Sequence, residues 1–357
     1  MLESAFLTSL IRIVVVSLFE QTAFDNHEQV VFCHDRASGL KAIIAIHDTR
    51  LGPATGGCRM WNYASEQEAI FDVLRLSKGM TYKNAMAGLP MGGGKAVIIG
   101  DSKTQKTPEL MRAFGRHVQR LGGQYVSAED VGISPADMAI AAQHTDYIAG
   151  LEGKSGDPSP FTAYGTFLGI QAALKHQTGN ESLNGKRVAV QGIGHVGYHL
   201  CRHLHQAGAQ LVVADINQEA LKLAVQEFGA KVIESHNIYD EAVDVYAPCA
   251  LGATVNDDTI GRLKAGIIAG AANNQLATDA HDEILKNKGI LYAPDYVINA
   301  GGIINVSYEH AYDADASKKQ VEGIYDTLSQ VFAQAAQNDL PTGIVAAQLA
   351  EQKLTAA

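Results

Sequence analysis

Apolar positions along the chain alternate between short β-branched runs and longer stretches spaced three and four apart, a pattern that predicts an α/β fold. The runs AIIAI at 42–46 and AVIIG at 96–100 are bounded by turn residues and read as buried strands. Between them Ser65 and Glu68 form an S-x-x-E capping box, and Ile70, Val73, Leu74 and Ser77 then repeat along one helical face. A second helix is expected from Thr107 as N-cap and Pro108 in the first turn, burying Leu110, Met111, Phe114 and Val118. After Gly150 the segment LEGKSGDPSPF collects glycine, proline and serine into an expected hinge between domains. A helix over about 162–175 follows, then a strand at 188–190, a glycine turn, a helix, and a strand at 211–214 that ends at Asp215. Farther on, IIAGAANNQL and YAPDYVINAGGIINVSYE each read as an apolar strand running into small residues and amides. Strand ends of an open parallel sheet are where ligands bind, so Asn273 and Asn299 are candidates to meet one.

A length of 357 residues divides naturally into two domains, because single cores stop growing near roughly 250 to 300 residues. A hydrophobic content of 46% can fill both. The formal charge of −10, with no long basic run, argues against a nucleic-acid partner and leaves a small metabolite as the expected ligand. Cys33, Cys58, Cys201 and Cys249 are far apart with no CxxC pair, which predicts reduced thiols and a cytoplasmic protein. The apolar start, MLESAFLTSLIRIVVVSLFE, fits neither a secretory signal nor a membrane span, since Glu3 precedes the run and Arg12 interrupts it. Residues 1–15 read instead as an upstream extension, with Val16 marking an alternative start.

Two sites of chemistry stand out. In TYKNAMAGLPMGGGKAVIIGD, three glycines precede Lys95 and should let main chain approach a small ligand closely, with Lys83 nearby. Confinement and a second cation both disfavour an ammonium, so a lysine held this way suits general-base work. A phosphate loop is excluded, because Leu89 stands where its first glycine belongs and Ala96 where Ser or Thr is needed. Glu129 and Asp130 in AEDVG follow a strand-like run, so a carboxylate could face the same cleft and shuttle protons.

The second site is RVAVQGIGHVGYHLCRHLHQAGAQLVVADIN, where Gly192, Gly194 and Gly197 form GxGxxG in strand, turn, helix, strand, acid order. That order is the dinucleotide fingerprint: glycines for the turn, for pyrophosphate approach and for helix packing, with the helix N-terminus on the phosphates. Asp215 would bond the ribose hydroxyls and repel a 2′-phosphate, and no arginine follows at Ile216, Asn217 or Gln218, so NAD is favoured. His195, His199 and His203 share a helix face, but no carboxylate or thiol completes a metal set, and no metal is expected.

Together TYKNAMAGLPMGGGK, AEDVG, GIGHVG, APCALGA, AGAANNQL and APDYVINAGGIINV resemble the amino-acid dehydrogenases, most closely their leucine-type members, from about Glu28 to the C-terminus. The resemblance implies a substrate domain over 1–149, joined by a returning C-terminal segment 335–357 with a helix near 346–354, and an NAD-binding domain over 150–334. It implies that Lys95 is the catalytic base, assisted by Asp130, and that Lys83 binds the substrate carboxylate. Thr55, Gly56, Gly57, Met80, Glu129, Ile303 and Val306 would form the substrate site. Thr162 and Asn273 would hold the NAD carboxamide, with Gly192, Gly194, His195, Val196, Gly197, Asp215, Ala250 and Asn299 completing the cofactor site. The activity implied is reversible oxidative deamination of branched-chain L-amino acids by a homo-oligomer, commonly an octamer. Thr55 departs from the leucine usual in GPALGG, which leaves the ranking of leucine, isoleucine and valine open. Phenylalanine or valine members share the lysines, and a non-catalytic NAD sensor would keep only the fingerprint. A 2-hydroxy-acid dehydrogenase would want a histidine and an arginine where this chain has two lysines.

Overall fold

The computed structural model describes residues 17–151 and 156–357; the expectation for residues 1–15, and part of the expected hinge, lie outside the described residues. The first lobe runs β1 (Gln29–Asp35), β2 (Leu40–Asp48), β3 (Ala54–Trp61), α1 (Glu66–Met86), β4 (Gly92–Ile99), α2 (Pro108–Arg120), β5 (Tyr125–Glu129) and α3 (Pro135–Ala141). Its sheet has the order β1-β2-β4-β3-β5, with β1, β2 and β4 antiparallel in turn and β3 parallel to both β4 and β5. Ser65 accepts the Glu68 amide at the start of α1, and Ile70, Val73 and Leu74 then bury against Ile43 and Val97 on one face of the sheet. Thr107 caps α2 in the same way, and Leu110, Met111, Phe114 and Val118 cover the opposite face.

Gly92, Gly93 and Gly94 lie inside β4 rather than in a turn, and their smallness serves packing of the fold rather than approach to a ligand. A Cβ at Gly92 would overlap the Asp48 carbonyl, one at Gly93 the Thr81 backbone on α1, and one at Gly94 would come 2.8 Å from the Tyr125 ring. The expectation of a ligand-facing glycine stretch is corrected accordingly: sequence shows where side chains are missing, but not what fills the space.

The second lobe comprises α4 (Ser159–Thr178), β6 (Arg187–Gln191), α5 (His195–Gln206), β7 (Gln210–Ala214), α6 (Gln218–Phe228), β8 (Lys231–Val232), β9 (Val245–Pro248), β10 (Ile267–Ile268), α7 (Ala280–Asn287), β11 (Leu291–Tyr292), α8 (Asp295–Ile298), α9 (Gly301–Ser307), α10 (Ala314–Asn338) and α11 (Thr342–Thr355). All its strands are parallel, in the order β11-β10-β9-β6-β7-β8, which is the doubly wound arrangement with its switch point between β6 and β9. The run YVINAGGIINV, expected as a strand end, is instead the helices α8 and α9, the strand stopping at Tyr292. Short apolar runs do not distinguish strand from helix by periodicity. What decides is contact: a Cβ at Gly301 would overlap the Phe161 carbonyl, so α9 can lie directly on α4. One core cluster spans α4, β6, β7, α10 and α11 and takes in Ala85, Met86 and Leu89 from the first lobe. The C-terminal helix α11 packs against α1, where Tyr82 donates to Glu351 at 2.6 Å.

Two histidines are buried where α1 meets β2. His27 Nε2 lies 3.0 Å from both the Leu74 carbonyl and Ser77 Oγ, and His47 Nδ1 lies 2.8 Å from Thr81 Oγ1. Burial, aided by the neighbouring His27, pushes His47 down to about 4. The unfolded chain, with a histidine near 6.5, therefore binds more protons than the fold between those values. Stability is full above about pH 6.5 and falls as pH drops toward 4, by about 3 kcal/mol for His47 alone. Urea midpoints at pH 7 and 4.5 should fall less in a His47→Gln variant than in the parent chain; an equal fall would remove His47 as the cause.

Candidate active site

The two lobes meet around the lysine pair. Lys95 projects from β4 with only 7% of its surface exposed, and its Nζ lies 2.6 Å from Asp130 Oδ2 just past the end of β5. Gly57 makes that pairing possible, since a Cβ there would overlap the Glu129 carbonyl and stand 2.9 Å from the Asp130 Cβ. At Gly56 a Cβ would overlap the Gly94 carbonyl and reach the Met80 side chain at 3.1 Å. Burial opposes ionisation of Asp130, but the Lys95 and Arg59 cations win and hold its carboxyl well below the usual range. Asp130 is thus an ion-paired carboxylate in direct contact with the Lys95 amine.

Lys83, from the last turns of α1, donates to Asn273 Oδ1 across the lobes at 3.2 Å. Burial pushes its ammonium down to about 8; Asp295 opposes this and Lys95 adds to it. Asn273 Oδ1 also accepts from Asn299 Nδ2 at 2.7 Å, and the same Nδ2 reaches the Ala271 carbonyl at 3.1 Å. Asn299 is buried and supports the Asn273 amide through this bond. Burial, with Asp157 and Asp130 nearby, raises Glu129 above its ordinary value. Thr55 is buried and turns its hydroxyl to the Pro53 carbonyl at 3.2 Å, so part of its polarity is satisfied by the backbone just before β3. Ile303 and Val306 lie half-buried on α9.

On the second lobe the fingerprint takes the shape its glycines require. Gly192 has φ +98° and its missing side chain makes room for Ala250, while a Cβ at Gly197 would overlap the Gly192 carbonyl. Gly194 faces open space, and as N-cap of α5 it supplies no side-chain cap, so the first amides of that helix are free for an anion. Asp215 directly follows β7 and accepts from the Ile193 amide at 2.5 Å and the Asn217 amide at 2.7 Å, which ties its carboxylate to the turn. These residues fit a dinucleotide. His195 is exposed beside Val196, and its Nδ1 lies 3.9 Å from Asp157. Thr162 bonds the Pro158 carbonyl at 3.1 Å, against Gly302 of α9. His203 lies against Tyr164 and Phe167, away from any shared ligand with His195.

Two groups escaped the sequence reading. Arg59 bonds Asp130 at 3.3 Å and Asp72 at 2.9 Å, although these partners are far from it in sequence. Ile216 and Leu251 are 93% and 78% exposed beside Asp215 and Ala250, apolar surface at the dinucleotide loops that only solvent exposure marks. Cavities of about 420 and 310 Å³ share no residue with this cluster. Among the described residues no helix is long and apolar enough to cross a membrane, and no group of three His, Cys, Asp or Glu could hold a metal ion.

Comparison with known proteins agrees with this geometry. Residues 27–147 match the family model described as Glu/Leu/Phe/Val dehydrogenase, dimerisation domain, and residues 153–221 and 213–343 match Glutamate/Leucine/Phenylalanine/Valine dehydrogenase. The chain is 54% identical to leucine dehydrogenase of Geobacillus stearothermophilus, over 95% of this chain and 94% of that one. It is 47% identical to valine dehydrogenase of Streptomyces virginiae, over 92% and 94%. The crystal structure of L-tryptophan dehydrogenase from Nostoc punctiforme superposes with a TM-score of 0.82 at 49% identity, covering 92% of this chain and 96% of that chain. With both lobes matched and Lys83 bonded across them to Asn273, the chain belongs to the Glu/Leu/Phe/Val dehydrogenases, a family of pyridine-nucleotide-dependent oxidoreductases.

Proposed function

We propose that the chain catalyses reversible oxidative deamination of L-leucine and other branched-chain L-amino acids with NAD, giving the 2-oxo acid, ammonium and NADH. The observation that carries this reading is the meeting of Lys95, Asp130 and Lys83 with Asn273 of the dinucleotide-binding lobe. The leucine dehydrogenases at 54% identity support the substrate class. Bound NAD would supply the acceptor for the hydride leaving the substrate α-carbon. Gly192, Gly194 and Gly197 with the α5 amides would hold its diphosphate, Asp215 its ribose, and Thr162 and Asn273 its carboxamide.

Lys83 in its ammonium form binds the α-carboxylate, and that contact fixes the α-carbon relative to the cofactor. Lys95 takes a proton from the water that attacks the iminium carbon, and returns it as ammonium departs. Asp130 holds the Lys95 amine in place through both protonation states. Met80, Gly56, Ile303 and Val306 enclose the side chain, with Thr55 and Gly57 beneath and Glu129 at the rim; contact between the lobes excludes bulk water from the iminium. We place the assembly as a homo-octamer; the dimerisation domain matched over 27–147 supports an oligomer. The four cysteines are free thiols, in keeping with the cytoplasm.

Reduction of NAD and NADP measured in parallel with leucine, isoleucine, valine, phenylalanine, tryptophan and glutamate tests the proposal. The expected result is NAD reduction with the three branched-chain substrates and weak NADP use because of Asp215. Turnover confined to an aromatic substrate would overturn the substrate assignment, and no turnover with any would overturn the enzyme.

A further inference from the structure

Behind the Lys95 and Asp130 pair lies a second charged layer. Arg59, on β3, sends Nε to Asp130 Oδ2 at 3.3 Å and Nη1 to Asp72 Oδ2 at 2.9 Å. Its side chain is 18% exposed, and those of Asp72 and Asp130 are 13% and 16% exposed. Asp72, on α1, is itself held by the Tyr63 hydroxyl at 2.8 Å and Arg75 at 3.3 Å. A planar guanidinium bonded through two different edges has little freedom to rotate, which lysine or a neutral side chain at this place could not reproduce. One oxygen, Asp130 Oδ2, thus serves two cations at once, Lys95 and Arg59. Charge that Asp130 spends on Arg59 is not available to stabilise the Lys95 ammonium.

We infer that Arg59 is a positioning residue for the reaction: it fixes the Asp130 carboxylate and draws off part of its charge, so that Lys95 yields its proton more readily. The inference rests on the proposed role of Lys95 as base. The other ionisable groups facing Asp130 are Lys83 from α1, Cys58 from β3, and Tyr125 and Glu129 from β5. Tyr63 faces it from beyond the strand. Cys58, Tyr125 and Tyr63 are all pushed toward their neutral forms by burial, and Lys83 is engaged with Asn273, so Arg59 is the cation that competes with Lys95 for this carboxylate.

The test is the pH profile of kcat for leucine oxidation at saturating NAD, in the full-length oligomer. Because Arg59→Met alone takes a cation from two half-buried carboxylates and leaves Asp72 with only Tyr63 and Arg75, it is combined with Asp72→Asn, and Asp72→Asn alone serves as control. The double variant should move the ascending limb upward by about 1 pH unit, equivalent to a tenfold loss of kcat on that limb, with KM for leucine unchanged within about twofold. Arg59→Lys, which restores a cation, should recover part of the limb position. A limb at the parent position in the folded double variant, or a loss carried wholly by KM, would overturn the inference. Lys95→Ala run alongside separates the two ideas: if it keeps full turnover, the role of Lys95 fails, whereas its inactivity with an unmoved limb in the double variant removes Arg59 alone.

Discussion

Replacing Lys95 with alanine should lower kcat for amino-acid oxidation by about 10²- to 10⁴-fold, the span typical of a lost general base, while NADH binding stays unchanged. The cofactor contacts proposed here come from the second lobe, and none uses Lys95. The variant should also fold, because Asp130 keeps Arg59 at 3.3 Å when its lysine is removed and is not left as an unpaired buried charge. Lys95→Arg gives a sharper control. It keeps a cation beside Asp130 but cannot deprotonate, so it should be as inactive as the alanine variant. Steady-state rates and fluorescence titration of NADH decide the matter; turnover near the parent value in either variant removes Lys95 from the role of base.

Gly93→Ala should be strongly damaging although it adds a single methyl group. The new Cβ would meet Thr81 at its amide nitrogen, Cα and Oγ1, and helix backbone cannot swing aside as a flexible side-chain end can. Helix α1 must lift from β4, which loosens the His47 contact to Thr81 and shifts Met80 and Lys83 away from Lys95. The expected cost is about 3 kcal/mol, the upper part of the range for overpacking, accompanied by a rise in KM for the amino acid. Gly79 on the same helix meets nothing within 4 Å, so Gly79→Ala should be neutral or stabilise by about 0.5 to 1 kcal/mol. Urea unfolding of both variants compares them directly. Equal midpoints would show that the glycines of β4 are not there to seat α1.

These cases show which features could be read from sequence. The cap at Ser65, the helix from Pro108 and the fingerprint from Arg187 to Asp215 follow from local rules, since the groups that satisfy one another lie within a few turns of chain. The run after Tyr292 did not yield to the same reasoning. Its apolar residues suit a buried strand or a buried helix equally, and the close approach of Gly301 to Phe161 on α4 settles the matter from outside the segment. The glycines before Lys95 were visible as an absence of side chains, but the occupant of the space came from Asp48, Thr81 and Tyr125.

By itself the sequence determined the α/β alternation, the dinucleotide turn with its acid at Asp215, and the family, because each is written in short-range order or in the succession of motifs. Only the tertiary structure decided that Lys95 is bound to Asp130, that Arg59 shares that carboxylate, and that burial pushes the Lys83 ammonium down to about 8 rather than leaving it an ordinary surface cation. The reason is physical: the charge a side chain carries depends on the water removed from it and on partners within a few ångströms, and at this site both are supplied by strands and helices distant in the chain.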